Sequence, residues 1–396
     1  MKLNAPFTIG NIPRILFGEG RIRELPDLVL SFGRRVLLVT GQRSFLASSA
    51  WNHLEPLLHL SGIEVFKVHI GAEPSPETID HLVGKYRDFP VDVVVGIGGG
   101  SVMDAAKAIA GLLLCENSVM DFLEGVGPQL PFVAPTVPLI AVPTTAGTGS
   151  EATRNAVLTR TGPEGFKKSF RDERLVARWA IIDPDLLEGC PRALIAANGM
   201  DALTQLLESF VSSRANPWTD ALAVSGIRAV GQGLLAWYDN SEDRDARAQM
   251  AYGALISGIC LAQTGLGSVH GLAQPLGSLF AMPHGLACGV LLLSATQVNL
   301  RVLEERDHQD LVLGKYAVAA RALLDREDLA DLDARRGLEC WLDELRYRFK
   351  LPGLSTFGVS TSDFPEIVQN ARNSSMKTNP VVLTDHEIME ILCQSL

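Results

Sequence analysis

Short apolar runs alternate with helical patterns through the first half of the chain, and this alternation limits the possible folds more than any other feature. Runs such as VDVVVGI and LIAVP suit strands that are covered on both faces. Repetition of strand, helix and strand is typical of a doubly wound, mostly parallel sheet. The predicted strands are 36–40, 65–70, 91–97, 139–145 and 179–183, and a helix is predicted over 101–114.

The strand pattern stops after Pro184, and long helical patterns follow it. Three of them cover 193–213, 219–239 and 245–265. The sequence therefore predicts two domains: an α/β domain over 1–186 and an all-helical domain over 187–396.

The segment 248–300 contains no Asp, Glu, Lys or Arg over 53 residues. A membrane span would explain such a segment, but polar residues and eight glycines interrupt it, so no clean apolar stretch of about 18 residues remains. The segment instead predicts helices buried at the centre of a domain. Its two histidines, His270 and His284, then need polar partners.

The overall charge limits the partners of the protein. The chain has 35 Lys and Arg against 45 Asp and Glu, a net charge of −10, and no basic cluster. Binding to nucleic acid or to an anionic membrane is therefore not expected. The six cysteines form no CxxC pair, and the N-terminus has no continuous apolar run. We expect a reduced cytoplasmic protein without a secretory signal.

Two loops that follow predicted strands are rich in glycine or hydroxyl side chains. The first, 98–101, precedes a helix whose N-terminus can bind phosphate, although a plain tight turn is equally compatible. The second, 144–150, places hydroxyls where open α/β sheets bind ligands, and a helix-capping loop is its alternative. Two such loops on neighbouring strands favour a nucleotide site.

Asp201 and Gln205 are spaced i, i+4 and therefore share one helix face, although an acidic residue in a first helical turn is common without any such role. His270 and His284 flank a turn predicted at 275–277. Carboxylate and imidazole together suit zinc or ferrous iron. Two ordinary core histidines remain the alternative.

In this order the motifs resemble those of the iron-containing, or group III, alcohol dehydrogenases. The resemblance covers nearly the whole chain and includes GGGSVMDAAK, PTTAGTGSEAT, GMDALTQ, VHGLAQPLG and PHG. It implies a nucleotide-binding α/β domain followed by an all-α domain, as in dehydroquinate synthase-like folds. Cofactor and metal would lie in the cleft between the two domains.

The resemblance also implies roles for individual residues. The metal ligands would be Asp201, Gln205, His270 and His284, and Gln274 would occupy the family's proton-relay position. The cofactor-binding residues would be Gly41, Gly98, Gly99, Gly100, Ser101, Asp104, Thr144, Thr145, Thr148, Ser150, Asn155 and Lys168.

Two positions depart from the family pattern, which usually has His where this chain has Gln205 and Gln274. A neutral amide oxygen is a weaker ligand for zinc or iron than imidazole. We therefore expect an Asp-His-His site in which Gln205 binds weakly or is replaced by water. Because glutamine does not titrate near neutral pH, water or the ribose hydroxyls would carry the proton in place of Gln274.

The predicted activity is hydride transfer between a small neutral alcohol or aldehyde and NAD(P), assisted by one Fe²⁺ or Zn²⁺ ion. A dehydroquinate synthase-like lyase and a metal-free reductase of the maleylacetate reductase type are alternatives. Their anionic substrates require cations that 248–300 lacks. A third alternative is a binding protein that has lost turnover. A homodimer or larger homo-oligomer is also expected.

The segment after the first predicted strand favours NADP over NAD. An acidic residue at a strand end commonly binds the ribose 2′-OH of NAD, and the resembling family often has Asp at the position of Gly41. This chain has no acid there. Arg43 and Ser44 could contact a 2′-phosphate, although a simple turn with Arg43 in solvent is the alternative.

Overall fold

The computed structural model describes residues 6–161, 165–307 and 310–396. The chain divides into two compact units. The α/β unit comprises Gly10–Thr145 and Gly149–Gly189. The helical unit consists chiefly of Cys190–Leu396 and includes Ala146–Thr148.

A parallel sheet forms the centre of the α/β unit, with the strand order β1-β8-β5-β4-β2-β3 among the described residues. A separate antiparallel pair, β6 and β7, completes its strands. The strands are β1 (Arg14–Phe17), β2 (Arg35–Gly41), β3 (Glu64–Ile70), β4 (Val93–Gly98), β5 (Leu139–Pro143), β6 (Asn155–Arg160), β7 (Phe166–Arg171) and β8 (Trp179–Ile182). The helices of this unit are α1 (Leu25–Leu30), α2 (Ser49–Leu60), α3 (Pro76–Tyr86) and α4 (Gly100–Leu112).

Apolar side chains cover both faces of the parallel sheet. Along β2, Leu37 and Val39 belong to one hydrophobic core, which includes residues of α3 and α4. Val36 and Leu38 belong to a second core, which includes residues of α1 and α2. Successive side chains of a strand point to opposite faces, so β2 is buried on both sides. The prediction of a doubly wound parallel sheet is confirmed.

The helical unit contains no strand among its described residues, which confirms the predicted all-helical character of this part of the chain. Its helices are α5 (Arg192–Val211), α6 (Pro217–Asp239), α7 (Arg244–Thr264), α8 (Ser268–Phe280), α9 (His284–Val302), α10 (Asp310–Leu324), α11 (Asp331–Arg348), α12 (Phe364–Ala371) and α13 (Asp385–Gln394).

The turn predicted at 275–277 is wrong, because α8 continues through Pro275 to Phe280. A proline inside a helix leaves the carbonyl four residues earlier without its N–H donor. Here the Asn373 side-chain amide donates to the Gly271 carbonyl at 2.9 Å and replaces that bond. The break comes at Ala281, which has a left-handed backbone with φ 51°.

Helix α9 and the π-helical turn that continues it, together His284–Arg306, are long enough to cross a membrane by length and composition. However, 78% of their most apolar window is buried inside the protein. This burial is typical of a core helix in a soluble protein, as the charge-free segment predicted.

Candidate functional site

The glycine loop 98–101 joins β4 directly to α4. Gly99 is the N-cap of α4, so no side chain caps the first amides of this helix. A Cβ on Gly98 would lie 2.6 Å from Val102 Cγ2, which shows how closely strand and helix approach. Ser101 lies in the first turn. The loop therefore presents free helix N–H groups, the arrangement that binds phosphate.

The second loop begins beside the first. The Thr144 N–H donates to the Gly98 carbonyl at 3.0 Å, and β4 and β5 pair Gly98 with Pro143. A Cβ on Gly99 would lie 3.2 Å from Thr145 Cγ2. The structure thus brings Thr144 and Thr145 to the glycine loop, whereas Thr148 belongs to the helical unit.

A buried lysine that sequence reasoning missed connects several predicted cofactor residues. The Lys107 ammonium donates to Ser150 Oγ, Thr153 Oγ1 and the Asn155 carbonyl at 2.7–2.8 Å. Ser150 in turn donates to Asp104 at 2.9 Å. Lys107 lies one helical turn after Asp104 in GGGSVMDAAK, and this spacing was the available signal. We call these five residues the Lys107 cluster.

Burial dominates the titration of the Lys107 cluster and its surroundings. It lowers the pKa of Lys107 to about 8, against the attraction of Asp104 and Glu151. Burial also raises the pKa of Asp104, and it raises the pKa of Glu151 to about 7. The cation beside Asp104 and Ser150 is therefore the Lys107 ammonium, which belongs to the protein itself.

The remaining predicted cofactor residues lie elsewhere in the α/β unit. Lys168 lies on β7 and is paired with Leu158 of β6, the strand that begins at Asn155 of the Lys107 cluster. Gly41 ends β2, and a Cβ built on it would meet no heavy atom within 4 Å. The exposed Arg43 follows two residues later.

In the helical unit, polar side chains from three helices converge on one point. Asp201 comes from α5, His270 from α8, and His284 and Cys288 from α9. One ligand atom of each lies within 4.8 Å of those of the other three. We call this group the α5–α8–α9 cluster. Asp201, His270 and Cys288 are buried, and the His284 side chain is 34% exposed.

The distances inside the α5–α8–α9 cluster are short. Asp201 Oδ1 lies 3.3 Å from His270 Nε2 and 3.6 Å from His284 Nε2. Cys288 Sγ lies 3.8 Å from His270 Nε2 and 3.9 Å from His284 Nε2. Sequence reasoning missed Cys288, although its i, i+4 spacing from His284 places both on one face of α9.

Glu208, which sequence reasoning also missed, fixes the His270 ring. Its Oε2 accepts from His270 Nδ1 at 2.7 Å, and its Oε1 accepts from the Val269 N–H at 2.7 Å. With one proton held on Nδ1, His270 would offer the lone pair of Nε2 to a metal ion, as metal-binding histidines do. Glu208 lies seven residues after Asp201, so the two acidic side chains share a face of α5.

Gln205 lies beside the α5–α8–α9 cluster, and its side-chain amide has a partner at both its oxygen and its nitrogen. Its Oε1 accepts from Ser257 Oγ at 2.7 Å, and its amide group donates to the Asp201 carboxylate. Gln274 is half-buried and lies one helical turn after His270 on α8.

Burial and neighbouring groups together set the protonation of the α5–α8–α9 cluster. Burial opposes ionisation of Asp201, but the imidazoles of His284 and His270 and the Gln205 amide outweigh it and lower the pKa of Asp201. Burial raises the pKa of the Cys288 thiol to about 11, so the thiol keeps its proton at neutral pH unless a cation binds.

The donor atoms fit a divalent transition metal. Two buried carboxylates, Asp201 and Glu208, lie in a region to which 248–300 contributes no Lys or Arg. Buried carboxylates require a compensating cation or several hydrogen bonds. Imidazole nitrogen, carboxylate oxygen and thiol sulfur are together the ligands of zinc and related ions.

Comparison with known protein families matches both parts of the chain to the same family. Residues 13–184 match the family described as iron-containing alcohol dehydrogenase, and residues 195–396 match the C-terminal region of the Fe-containing alcohol dehydrogenase family. The chain belongs to the iron-containing alcohol dehydrogenase family.

Relatives in this family resemble the chain over nearly its whole length. The 1,3-propanediol dehydrogenase of Klebsiella pneumoniae is 34% identical, over 93% of this chain and 95% of the relative. The NAD-dependent methanol dehydrogenase of Bacillus methanolicus is 29% identical, over 97% and 98%. A crystal structure of 1,3-propanediol oxidoreductase superposes with a TM-score of 0.89 and 30% identity, over 99% of this chain and 100% of that one.

Membership in the iron-containing alcohol dehydrogenase family confirms the predicted class of activity. The protein is an oxidoreductase that acts on the CH–OH group of alcohols or, in reverse, on aldehydes. The fold predicted from the resemblance is likewise confirmed.

Proposed function

We propose that the protein transfers hydride between a small neutral alcohol, or its aldehyde, and a nicotinamide dinucleotide, with one divalent ion held by Asp201, His270 and His284. The observation that carries this proposal is the convergence of these three side chains from three helices. Their interatomic distances of 3.3 and 3.6 Å are those of ligands that share an ion. The names of the 1,3-propanediol and methanol dehydrogenases support small alcohols as substrates.

When bound, the ion supplies Lewis acidity at the substrate oxygen, and the nicotinamide accepts or returns the hydride. The chain's own residues prepare this site. Glu208 holds the proton of His270 at Nδ1 and thereby keeps Nε2 available. The partly exposed His284 side chain lies on the accessible side of the cluster, where a substrate can enter. The charge-free segment 248–300 favours a neutral substrate.

The residues near the α5–α8–α9 cluster limit the routes by which the substrate proton can reach solvent. Gln274 cannot titrate near neutral pH, so in this proposal water or the ribose hydroxyls of the cofactor carry the substrate proton to solvent. The glycine loop supports cofactor phosphate through the free N–H groups of α4. Thr144 and Thr145 lie beside it.

His270→Ala tests the metal-dependent function. We expect bound metal, measured by elemental analysis, and hydride transfer, followed by nicotinamide absorbance on a panel of alcohols and aldehydes, to fall together by roughly a hundredfold or more. His53→Ala, at an exposed histidine of α2, is the matched control. Full metal occupancy in His270→Ala would refute the proposed ligand set.

We further propose that NADP is preferred over NAD. The open space around Gly41 and the exposed Arg43 support this preference. An Arg–phosphate contact needs to contribute only about 1.4 kcal/mol for a tenfold preference. We expect kcat/KM on one aldehyde to be higher with NADPH than with NADH, and Gly41→Asp to reverse this order.

The control for Gly41→Asp is Gly84→Asp on α3, because a Cβ at Gly84 also meets no atom within 4 Å. Equal kcat/KM values for the two cofactors in the unaltered protein, or a higher value with NADH, would contradict the NADP proposal.

We also propose a cytoplasmic location and a homo-oligomeric assembly. The free cysteines support a reducing compartment. Light scattering of the purified protein tests the assembly, and a monomer at all concentrations would contradict it.

A further inference from the structure

The α5–α8–α9 cluster contains one more donor than the proposed ligand set uses. Cys288 Sγ faces the Nε2 atoms of both histidines, at 3.8 and 3.9 Å. Its side chain is buried, and it lies one turn after His284 on α9. The cluster therefore offers four donor atoms, not three.

The distances suit a single tetrahedral ion. Metal bonds of about 2.0–2.1 Å to nitrogen and oxygen and about 2.3 Å to sulfur place neighbouring N and O atoms about 3.4 Å apart, and N and S atoms about 3.6 Å apart. The observed N···O distances are 3.3 and 3.6 Å, and the observed N···S distances are 3.8 and 3.9 Å. Small side-chain shifts bring all four atoms onto one ion.

Gln205, the other candidate for the fourth ligand, is directed away from this role. Its oxygen accepts from Ser257 Oγ on α7, and its amide group donates to Asp201. A donated amide hydrogen stabilises a carboxylate but cannot bind a cation. In this orientation Gln205 holds Asp201 in place and leaves the fourth position to another side chain.

We propose that Cys288 is the fourth protein ligand, so that the ion is held by Asp201, His270, His284 and the Cys288 thiolate. This inference rests on the proposed metal-dependent function. On coordination the Cys288 sulfur bonds to the metal and its proton passes to solvent. The ligand charges of Asp201 and the thiolate then cancel the charge of a divalent ion. The partly exposed His284 side would leave such an ion accessible to a substrate oxygen.

The proposed donor set distinguishes between metals. A thiolate is a soft ligand, and together with two imidazoles and one carboxylate it favours Zn²⁺ over Fe²⁺. We therefore expect the preference for zinc when both ions are offered in equal amounts to be larger in the unaltered protein than in Cys288→Ser.

Cobalt substitution tests the assignment without relying on activity. All proteins carry Cys340→Ser and Cys393→Ser, because these two cysteines are exposed and could bind cobalt themselves. After chelation and reconstitution with Co²⁺, we expect the visible d–d bands of a tetrahedral site and a near-ultraviolet thiolate-to-cobalt charge-transfer band. Cys288→Ser should lose the charge-transfer band, and its Zn²⁺ affinity, measured against a chromophoric chelator, should fall roughly tenfold or more.

Two further variants make the test specific. Cys260→Ser removes a buried thiol of α7 whose sulfur contacts the Thr219 carbonyl, and it should keep both the band and the affinity. Gln205→Ala should keep the charge-transfer band, because Gln205 is not a ligand in this proposal.

The outcomes separate the two proposals. Stoichiometric cobalt without a thiolate band, or a Cys288→Ser protein with unchanged zinc affinity, would overturn the Cys288 assignment and leave the metal-dependent function intact. If Cys288→Ser does not fold, the presence or absence of the thiolate-to-cobalt band in the protein that retains Cys288 still decides whether Cys288 is a ligand. Failure of that protein to bind either Co²⁺ or Zn²⁺ would overturn both proposals.

Discussion

The Lys107 cluster and the α5–α8–α9 cluster are both buried and polar, but they differ in how their charges are balanced. In the first, the Lys107 ammonium makes three hydrogen bonds, and a carboxylate lies 3.8 Å away at Asp104. In the second, Asp201 lies beside two imidazoles and a thiol, and Glu208 accepts a hydrogen bond from one of the imidazoles. The first cluster contains its own cation, whereas the second collects cation ligands.

This difference separates a structural network from a binding site. A buried network whose donors and acceptors are matched stabilises the fold and needs nothing added. Donor atoms that converge within 4.8 Å on one point, beside acidic side chains and without a lysine from 248–300, form a set of ligands for a cation. A buried polar cluster therefore indicates a ligand site only if its own charged groups do not balance one another.

Lys107→Met should have the largest effect on folding. It leaves Asp104, Ser150 and Thr153 without their shared cation, and removal of one partner of a buried pair costs about 3–5 kcal/mol. We expect the free energy of unfolding to fall by that amount in denaturant titrations, while metal content of the folded fraction is unchanged. Lys85→Met, at an exposed position of α3, is the control. A stability loss below about 1 kcal/mol would show that the cluster is not structural.

Glu208→Gln should weaken the metal site without unfolding the protein. The substitution replaces one of the two accepting oxygens with an NH2 donor, and because the Val269 N–H needs the remaining oxygen, the NH2 group faces His270. An amide that donates to His270 Nδ1 forces the ring proton onto Nε2, which then cannot bind metal. We expect a 10–100-fold loss of zinc affinity, measured by competition with a chelator.

The control for Glu208→Gln is Glu242→Gln, which changes an exposed acid just before α7. Unchanged zinc affinity in Glu208→Gln would mean that α8 orients His270 without help from Glu208.

Glu151→Gln should have an effect on stability that depends on pH. The folded protein raises the pKa of Glu151 to about 7 from an ordinary value of 4.5, so it binds the proton more tightly than the unfolded chain. The contribution of this group to unfolding free energy therefore falls as pH rises from about 4.5 to about 7. Glu151→Gln should raise the melting temperature at pH 8 relative to the unaltered protein, and this gain should disappear near pH 4.5.

The exposed Glu116→Gln variant should show no such pH dependence. If Glu151→Gln lowers the melting temperature at pH 8, the attraction between Glu151 and Lys107 exceeds the cost of burying the charge.

Strands buried on both faces were predictable to within one or two residues. The prediction 36–40 corresponds to β2, Arg35–Gly41. A short continuous apolar run is typical of a strand that is buried on both faces. The strands β1, β6 and β7 were not predicted. Three residues of β1 are exposed, and β7 reads FKKSFR, so neither shows the pattern of a covered strand.

The candidate site was only partly predictable, because its parts come from distant positions. Asp201, His270 and His284 were identifiable from residue type and from the resemblance. Glu208 shares a helix face with Asp201, and Cys288 shares one with His284, but this spacing alone does not assign them a role, because the role depends on how α5, α8 and α9 pack. The wrong turn at 275–277 has the same origin: Asn373, 102 positions from Gly271, supplies the missing hydrogen bond.

The dependence of α8 on distant asparagines has a consequence for biogenesis. Asn373 donates to Gly271, and the Asn379 side chain accepts from the Ser268 N–H at 3.0 Å. On the ribosome, the segment carrying His270 is synthesised about a hundred residues before these partners. At synthesis rates of about 5–20 residues per second, α8 waits several seconds for them. We therefore expect the ion to be acquired only after residue 379 has been translated.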